Sequence, residues 1–127
     1  MRRYLLDTNT ASDFVAKRGD VPARAKETRL RGGKIGVAIP VLTELYYGFE
    51  YSSSRELNLS KLGHAIDELR VWPFDLAAAA EYGRLRAELR RRGRAMQQID
   101  VMIASIALTF ATARSFHPTA TWRRYLD

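Results

Sequence analysis

Residues 3–9, Arg3-Tyr4-Leu5-Leu6-Asp7-Thr8-Asn9, decide how this chain is read. A short apolar run begins almost at the first residue and stops at once on three polar side chains. The run has the length and the bounds of a buried strand. In an open α/β sheet, ligands bind in the crevice outside the carboxyl ends of the strands. Asp7 therefore stands where a carboxylate serves chemistry better than packing. Asp, Thr and Asn also cap helix N-termini, so a cap for the next helix is the competing reading. Seven residues leave both open.

Beyond this strand the pattern alternates. Residues 10–31 carry a helical pattern in two pieces, broken at Gly19–Pro22 and stopped by Gly32-Gly33. Lys34–Ile39 is a second short apolar strand. Pro40 then falls in the first turn of a helix, where its missing N–H is harmless, and Gly48 lies near that helix's end. Leu59, Leu62, Ile66 and Leu69 recur at helical spacing. Val71–Phe74 reads as a third strand, and Asp75 as the N-cap of the helix that follows. One face of that helix holds Ala78, Tyr82, Leu85 and Leu89, with arginines opposite, and Gly93 ends it. From Gln98 to about Phe110 the chain is apolar all round, as a helix buried in a core is. Strands alternating with helices predict an α/β fold with a parallel sheet, right-handed crossovers and helices on both faces. No linker or repeat divides residues 1–127, so a single domain is expected.

The 127 residues are 46% hydrophobic and 28% charged, an ordinary globular balance. Without cysteine there is no disulfide framework, thiol nucleophile or cysteine-type zinc cluster. Because a strand starts at the third residue, no signal peptide is expected. The longest apolar run, Val101–Ala111, is interrupted by Ser105 and Thr109 and falls short of the ~18 residues a membrane span needs. A soluble, cytoplasmic protein is expected. The net charge of +7 points to an anionic partner. Arg84, Arg86, Arg90, Arg91, Arg92 and Arg94 fall within eleven residues, with Glu88 the only acid among them. Arg24, Lys26, Arg29, Arg31 and Lys34 form a second basic group. Most charge runs are solvated faces, but six arginines against one acid exceed what solubility requires. Contact with phosphates is the favoured reading. His64 and His117 are read as surface residues.

Three acids sit in settings that a surface role does not explain. Asp7 ends the first strand, Glu44 lies between Leu42 and Leu45 in the Pro40 helix, and Asp100 opens the apolar helix. Burying a lone carboxylate is expensive, so each is expected to find a cation, a proton or several hydrogen bonds. Taken singly, a helix N-terminus would satisfy Asp100 and an arginine would satisfy Glu44. Taken together they point elsewhere. In a parallel α/β sheet the strand ends and the helix starts that follow collect on one edge, so all three can reach one pocket. Carboxylates within ~5 Å of one another repel unless a divalent cation neutralises them. All-oxygen ligation favours Mg²⁺ or Mn²⁺ over zinc. A hard metal in an acidic pocket among arginines describes metal-dependent phosphodiester hydrolysis.

The Leu-Leu-Asp-Thr-Asn start, the Thr-Glu-Leu-Tyr-Tyr-Gly helix and the Ile-Asp-Val-Met-Ile-Ala-Ser-Ile-Ala helix resemble the PIN-domain ribonucleases. More narrowly, they resemble the VapC toxins of bacterial toxin–antitoxin pairs. The resemblance covers residues 1–109 and implies a PIN-like three-layer α/β/α fold around a short parallel sheet. It implies an endoribonuclease using Mg²⁺ or Mn²⁺ on tRNA or another structured RNA, a VapB-type antitoxin and a homodimer. Asp7, Glu44 and Asp100 would then be catalytic metal ligands, with Thr8 and Asn9 supporting them. Arg84, Arg86, Arg90, Arg91, Arg92 and Arg94 would hold RNA or an acidic stretch of the antitoxin. The alternative is a catalytically impaired binding module that engages either partner without cleaving RNA.

The tail, residues 110–127, departs from the family pattern. The family continues with a fourth strand, an acidic motif that supplies a fourth acid, Val-Pro-Gly and a last strand. Here no acid precedes the final Asp127. Altered or missing edge strands and weakened activity are expected. A shifted reading frame over residues 111–127 would account for the departure. One choice of codons, read from its third base, restores an acidic motif followed by Val-Pro-Gly.

Overall fold

In the computed structural model, which describes residues 2–112, the chain alternates strands and helices as the sequence predicts. The order is β1 (Arg3–Leu5), α1 (Thr8–Ala16), α2 (Val21–Leu30), β2 (Lys34–Ala38), α3 (Ile39–Glu50), α4 (Arg55–Glu68), β3 (Arg70–Trp72), α5 (Leu76–Arg91) and α6 (Gln98–Thr112). The expectations for the tail beyond Thr112 (the lost acid, the edge strands and the shifted frame) lie outside the described residues.

The three strands pair in parallel in the order β1-β2-β3. Parallel neighbours need crossovers, and α1–α2 make the first while α3–α4 make the second. Crossovers of the usual right hand in this order fall on one face of the sheet. In agreement, α1 packs against both α2 and α4. On the other side α6 packs on β1, and α5 lies along α6. The result is the three-layer α/β/α arrangement around a short parallel sheet. Leu5, Val37, Val41, Leu62, Val101, Ile103 and Ile106 are fully buried between the layers. The hydroxyl of buried Ser105 donates to the Val101 carbonyl at 2.6 Å, so the core's one buried polar side chain among the described residues is satisfied.

Boundaries shift by a few residues, for local reasons. β2 ends at Ala38, not Ile39, because Ile39 and Pro40 already form the first turn of α3. β3 is Arg70–Trp72, not Val71–Phe74, because its partner strand has run out and Pro73 has no N–H to offer a ladder. Pro22 belongs to the first turn of α2 rather than to the break before it. Gly36, in the central strand, is required by its neighbours. A side chain there would collide with the Arg70 carbonyl oxygen and the Trp72 ring. Among the described residues no helix is long and apolar enough to cross a membrane.

Candidate active site

Asp7 lies two residues past Leu5, the buried end of β1, and has an extended backbone, φ −75° and ψ 176°. Its Oδ1 accepts a hydrogen bond from the Thr10 amide at 2.8 Å, so Asp7 is the N-cap of α1. The same side chain lines a cleft of about 560 Å³. Capping and cleft-lining are therefore two uses of one carboxylate. Thr8, Asn9, Glu44, Gln97 and Asp100 line the same cleft. The juxtaposition expected from the sheet topology is present: a strand end, the helix after β2 and the start of α6 meet at one edge.

The expectation that the three acids are buried is corrected. Glu44 is exposed, and Asp7 and Asp100 are half-buried. Helix phase is the reason for Glu44. Val41, Leu42 and Leu45 take the core-facing positions of α3, which turns Thr43 and Glu44 outward. Asp100 lies in the first turn of α6, where the helix end favours a negative charge.

The cleft is a local inversion of the protein's charge. Among the described residues it is lined by three carboxylates and by no lysine or arginine, in a chain of net charge +7. Among the described residues neither Asp7 nor Glu44 forms an ion pair. Carboxylates beside hydroxyl and amide oxygens form a hard-donor set, suited to Mg²⁺ or Mn²⁺ rather than to zinc. As they stand, no three Asp, Glu, His or Cys side chains among the described residues close into a group that could hold a metal ion. The donor chemistry fits such an ion, and holding it requires the carboxylates to draw inward. Exposed Glu44 has the rotamer freedom to do so.

The arginine run divides into two sets. Arg84 pairs with Glu81 at 2.7 Å, and Arg91 and Arg92 both pair with Glu88, at 2.9 and 3.0 Å. Hydrogen bonds from Arg91 and Arg92 hold the Glu88 carboxyl below its usual value. The other set faces the cleft side. Arg86 donates to the Tyr82 hydroxyl and lies over its ring. Arg90 and Arg94 have no acidic partner among the described residues. Arg86, Arg90 and Arg94 line a smaller pocket of about 360 Å³, which shares Ala95 and Met96 with the acidic cleft.

The second basic group lies elsewhere. Arg24 and Arg31 join Arg2 around a pocket at the amino ends of β1 and β2, and Arg31 is paired with Glu27 at 2.7 Å. Arg29 donates to the Glu68 carbonyl and lies over the Phe14 ring. His64 is exposed, as expected. Gln97 and Met96 were not singled out in the sequence. Gln97 stands one residue before α6, and its carbonyl accepts from the Val101 amide at 3.1 Å.

Comparison with known proteins agrees with this geometry. The PIN domain family matches residues 4–113. The chain is 36% identical over 108 residues to the tRNA(fMet)-specific endonuclease VapC of Shigella flexneri, covering 84% of this chain and 80% of that protein. It is 33% identical over 105 residues to ribonuclease VapC2 of Rickettsia felis, covering 83% of this chain and 78% of the relative. Among solved structures it superposes on VapBC2 from Rickettsia felis bound to a promoter DNA fragment. That match has a TM-score of 0.79 and 26% identity, over 94% of this chain and 99% of that one. The chain belongs to the PIN-domain family, within its VapC branch.

Proposed function

We propose that this protein is the endoribonuclease toxin of a toxin–antitoxin pair and hydrolyses RNA phosphodiester bonds at the Asp7–Glu44–Asp100 cleft. One observation carries the reading: three carboxylates line a cleft with no basic residue in its lining among the described residues, on an otherwise basic protein. Asp7, Glu44 and Asp100 would hold a Mg²⁺ or Mn²⁺ ion, with Thr8 and Asn9 as supporting donors. Such an ion lowers the pKa of bound water and neutralises phosphoryl charge. The chain's own residues do the rest. The Thr10 amide fixes Oδ1 of Asp7, so the other oxygen is the one available to the cleft. The cleft carboxylates orient a water against phosphorus and accept its proton. The new oxygen–phosphorus bond forms as the bond to one ribose oxygen breaks, and that oxygen takes up a proton. The products are one phosphomonoester end and one hydroxyl end. Arg90 and Arg94, which have no acidic partner among the described residues, supply attraction for the RNA backbone, and structured RNA such as tRNA is the proposed substrate class.

The proposed partners are a VapB-type antitoxin and a second copy of the chain. Tyr46, Tyr47 and Tyr51 support a partner-covered surface, since they stand exposed on and just after α3 and two of them stack at 6.4 Å. A second reading, a binding module that has lost catalysis, is favoured by one fact. The carboxylates do not close into a metal-holding group among the described residues.

Incubating the purified protein with tRNA and Mn²⁺ separates the two. Cleavage that disappears in Asp7→Asn and in Asp100→Asn supports the enzyme. Tight antitoxin binding without cleavage at any metal concentration supports the binding module. Cleavage that survives both substitutions removes these carboxylates from the mechanism.

A further inference from the structure

We propose that the pocket between the end of α5 and the start of α6 is a subsite for the nucleotide adjoining the scissile phosphate. This subsite rests on the hydrolase reading of the neighbouring cleft. Arg86, Leu89, Arg90, Arg94, Met96 and Val101 shape it, around a volume of about 360 Å³. Its floor is apolar: Leu89 and Val101 are buried, and Met96 is half-buried. Three arginines complete the lining as its rim, with no acid in it among the described residues. That combination matches the two halves of a nucleotide. A planar base covers apolar surface, while a phosphate takes the forked N–H donors of arginine. A bare anion would leave the floor uncovered, and an acidic side chain would engage the rim alone.

Position argues the same way. Ala95 and Met96 line both this pocket and the carboxylate cleft. A polynucleotide with one phosphate at the carboxylates would pass its next residue across Met96. The rim is also held in place. Arg86 is fixed by the hydroxyl and ring of Tyr82. Gly93, at φ +66°, turns the chain back over the end of α5, and the Arg94 amide donates to the Leu89 carbonyl at 2.9 Å. Arg90 and Arg94 are the two arginines of the run with neither an acidic nor an aromatic partner among the described residues. The neutralised members, Arg84, Arg91 and Arg92, do not line the pocket.

The test is a titration of methyl-labelled protein, followed by NMR at the Met96 methyl. The probes are the four nucleoside 5′-monophosphates, ribose 5-phosphate, inorganic phosphate and a glutamate-rich peptide. The nucleotides should move the Met96 signal saturably, whereas ribose 5-phosphate and inorganic phosphate should not. Arg90→Ala combined with Arg94→Ala should weaken nucleotide binding roughly tenfold. Arg55→Ala, which removes one distant positive charge, should leave the titration unchanged. Equal shifts with inorganic phosphate, a response to the acidic peptide alone, or no response to any probe overturns the subsite. Asp7→Asn should abolish cleavage yet keep the Met96 response. A wild-type protein that binds nucleotides here but never cleaves RNA refutes the hydrolase reading alone. One that cleaves RNA without a Met96 response refutes the subsite alone.

Discussion

A single side chain, Asp7, carries two roles that substitution can separate. Its Oδ1 caps α1 through the Thr10 amide, while the carboxylate also lines the acidic cleft. Asparagine caps a helix about as well as aspartate but is a poor ligand for a hard cation. Asp7→Asn should therefore lose ribonuclease activity with its melting temperature nearly intact. Asp7→Ala should lose both, with stability falling by about 1 kcal/mol. Parallel cleavage assays and thermal melts check this, and an active Asp7→Asn would confine Asp7 to capping. Both roles were legible in residues 3–9, because strand ends and helix caps draw on the same residue types. The exposure of Glu44 was not legible from its neighbours alone. Leu42 and Leu45 are buried and Glu44 is not, since a helix turns about 100° per residue and chain neighbours point different ways.

At the scale of elements, α5 shows how a charge run becomes a sorted surface. Glu81 and Glu88 balance Arg84, Arg91 and Arg92 at one helical turn's spacing, leaving Arg90 and Arg94 without an acidic partner among the described residues. These pairs were readable in advance from the three- and four-residue separations. The Arg94 turn was not, because it depends on Gly93 folding the chain back. Affinity for a single-stranded oligoribonucleotide, measured across salt concentrations, should expose the division. Arg90→Ala and Arg94→Ala should each flatten the logarithmic salt slope by about 0.7, the contribution of one phosphate contact. Arg91→Ala should change it little, and an equal effect from all three would erase the distinction. Glycines in the sheet and helices make a second contrast. Gly36→Ala forces a methyl group against the Arg70 carbonyl and the Trp72 ring, and should destabilise by about 2 kcal/mol. Gly48→Ala, in α3 with nothing within 4 Å, should instead stabilise by up to about 1 kcal/mol. Midpoints of urea unfolding decide both signs. The Gly36 constraint lies in the β2–β3 register, which no single strand's sequence carries.

For the whole molecule, the decisive feature is an acidic cleft set into a protein of net charge +7. The general field draws in polyanions, while the cleft repels them until its own charge is neutralised. A divalent cation would resolve that conflict and should therefore act on the stability of the entire fold. Asp7 follows β1, Glu44 belongs to α3 and Asp100 to α6, so an ion held by all three ties together both sides of the sheet. A ligand that binds only the folded chain stabilises it by about 2.7 kcal/mol at a hundred times its dissociation constant. For a domain of this size that is on the order of 10 °C in melting temperature. Adding Mn²⁺ should raise the melting temperature in this way, Mg²⁺ should do so at higher concentration, and EDTA should reverse both. Asp7→Asn and Asp100→Asn should each remove most of the rise while keeping the metal-free melting temperature close to wild type. A rise that persists in both variants would place the ion elsewhere on the protein. No rise at any concentration would leave the cleft as charged surface, and the fold would then serve binding rather than hydrolysis.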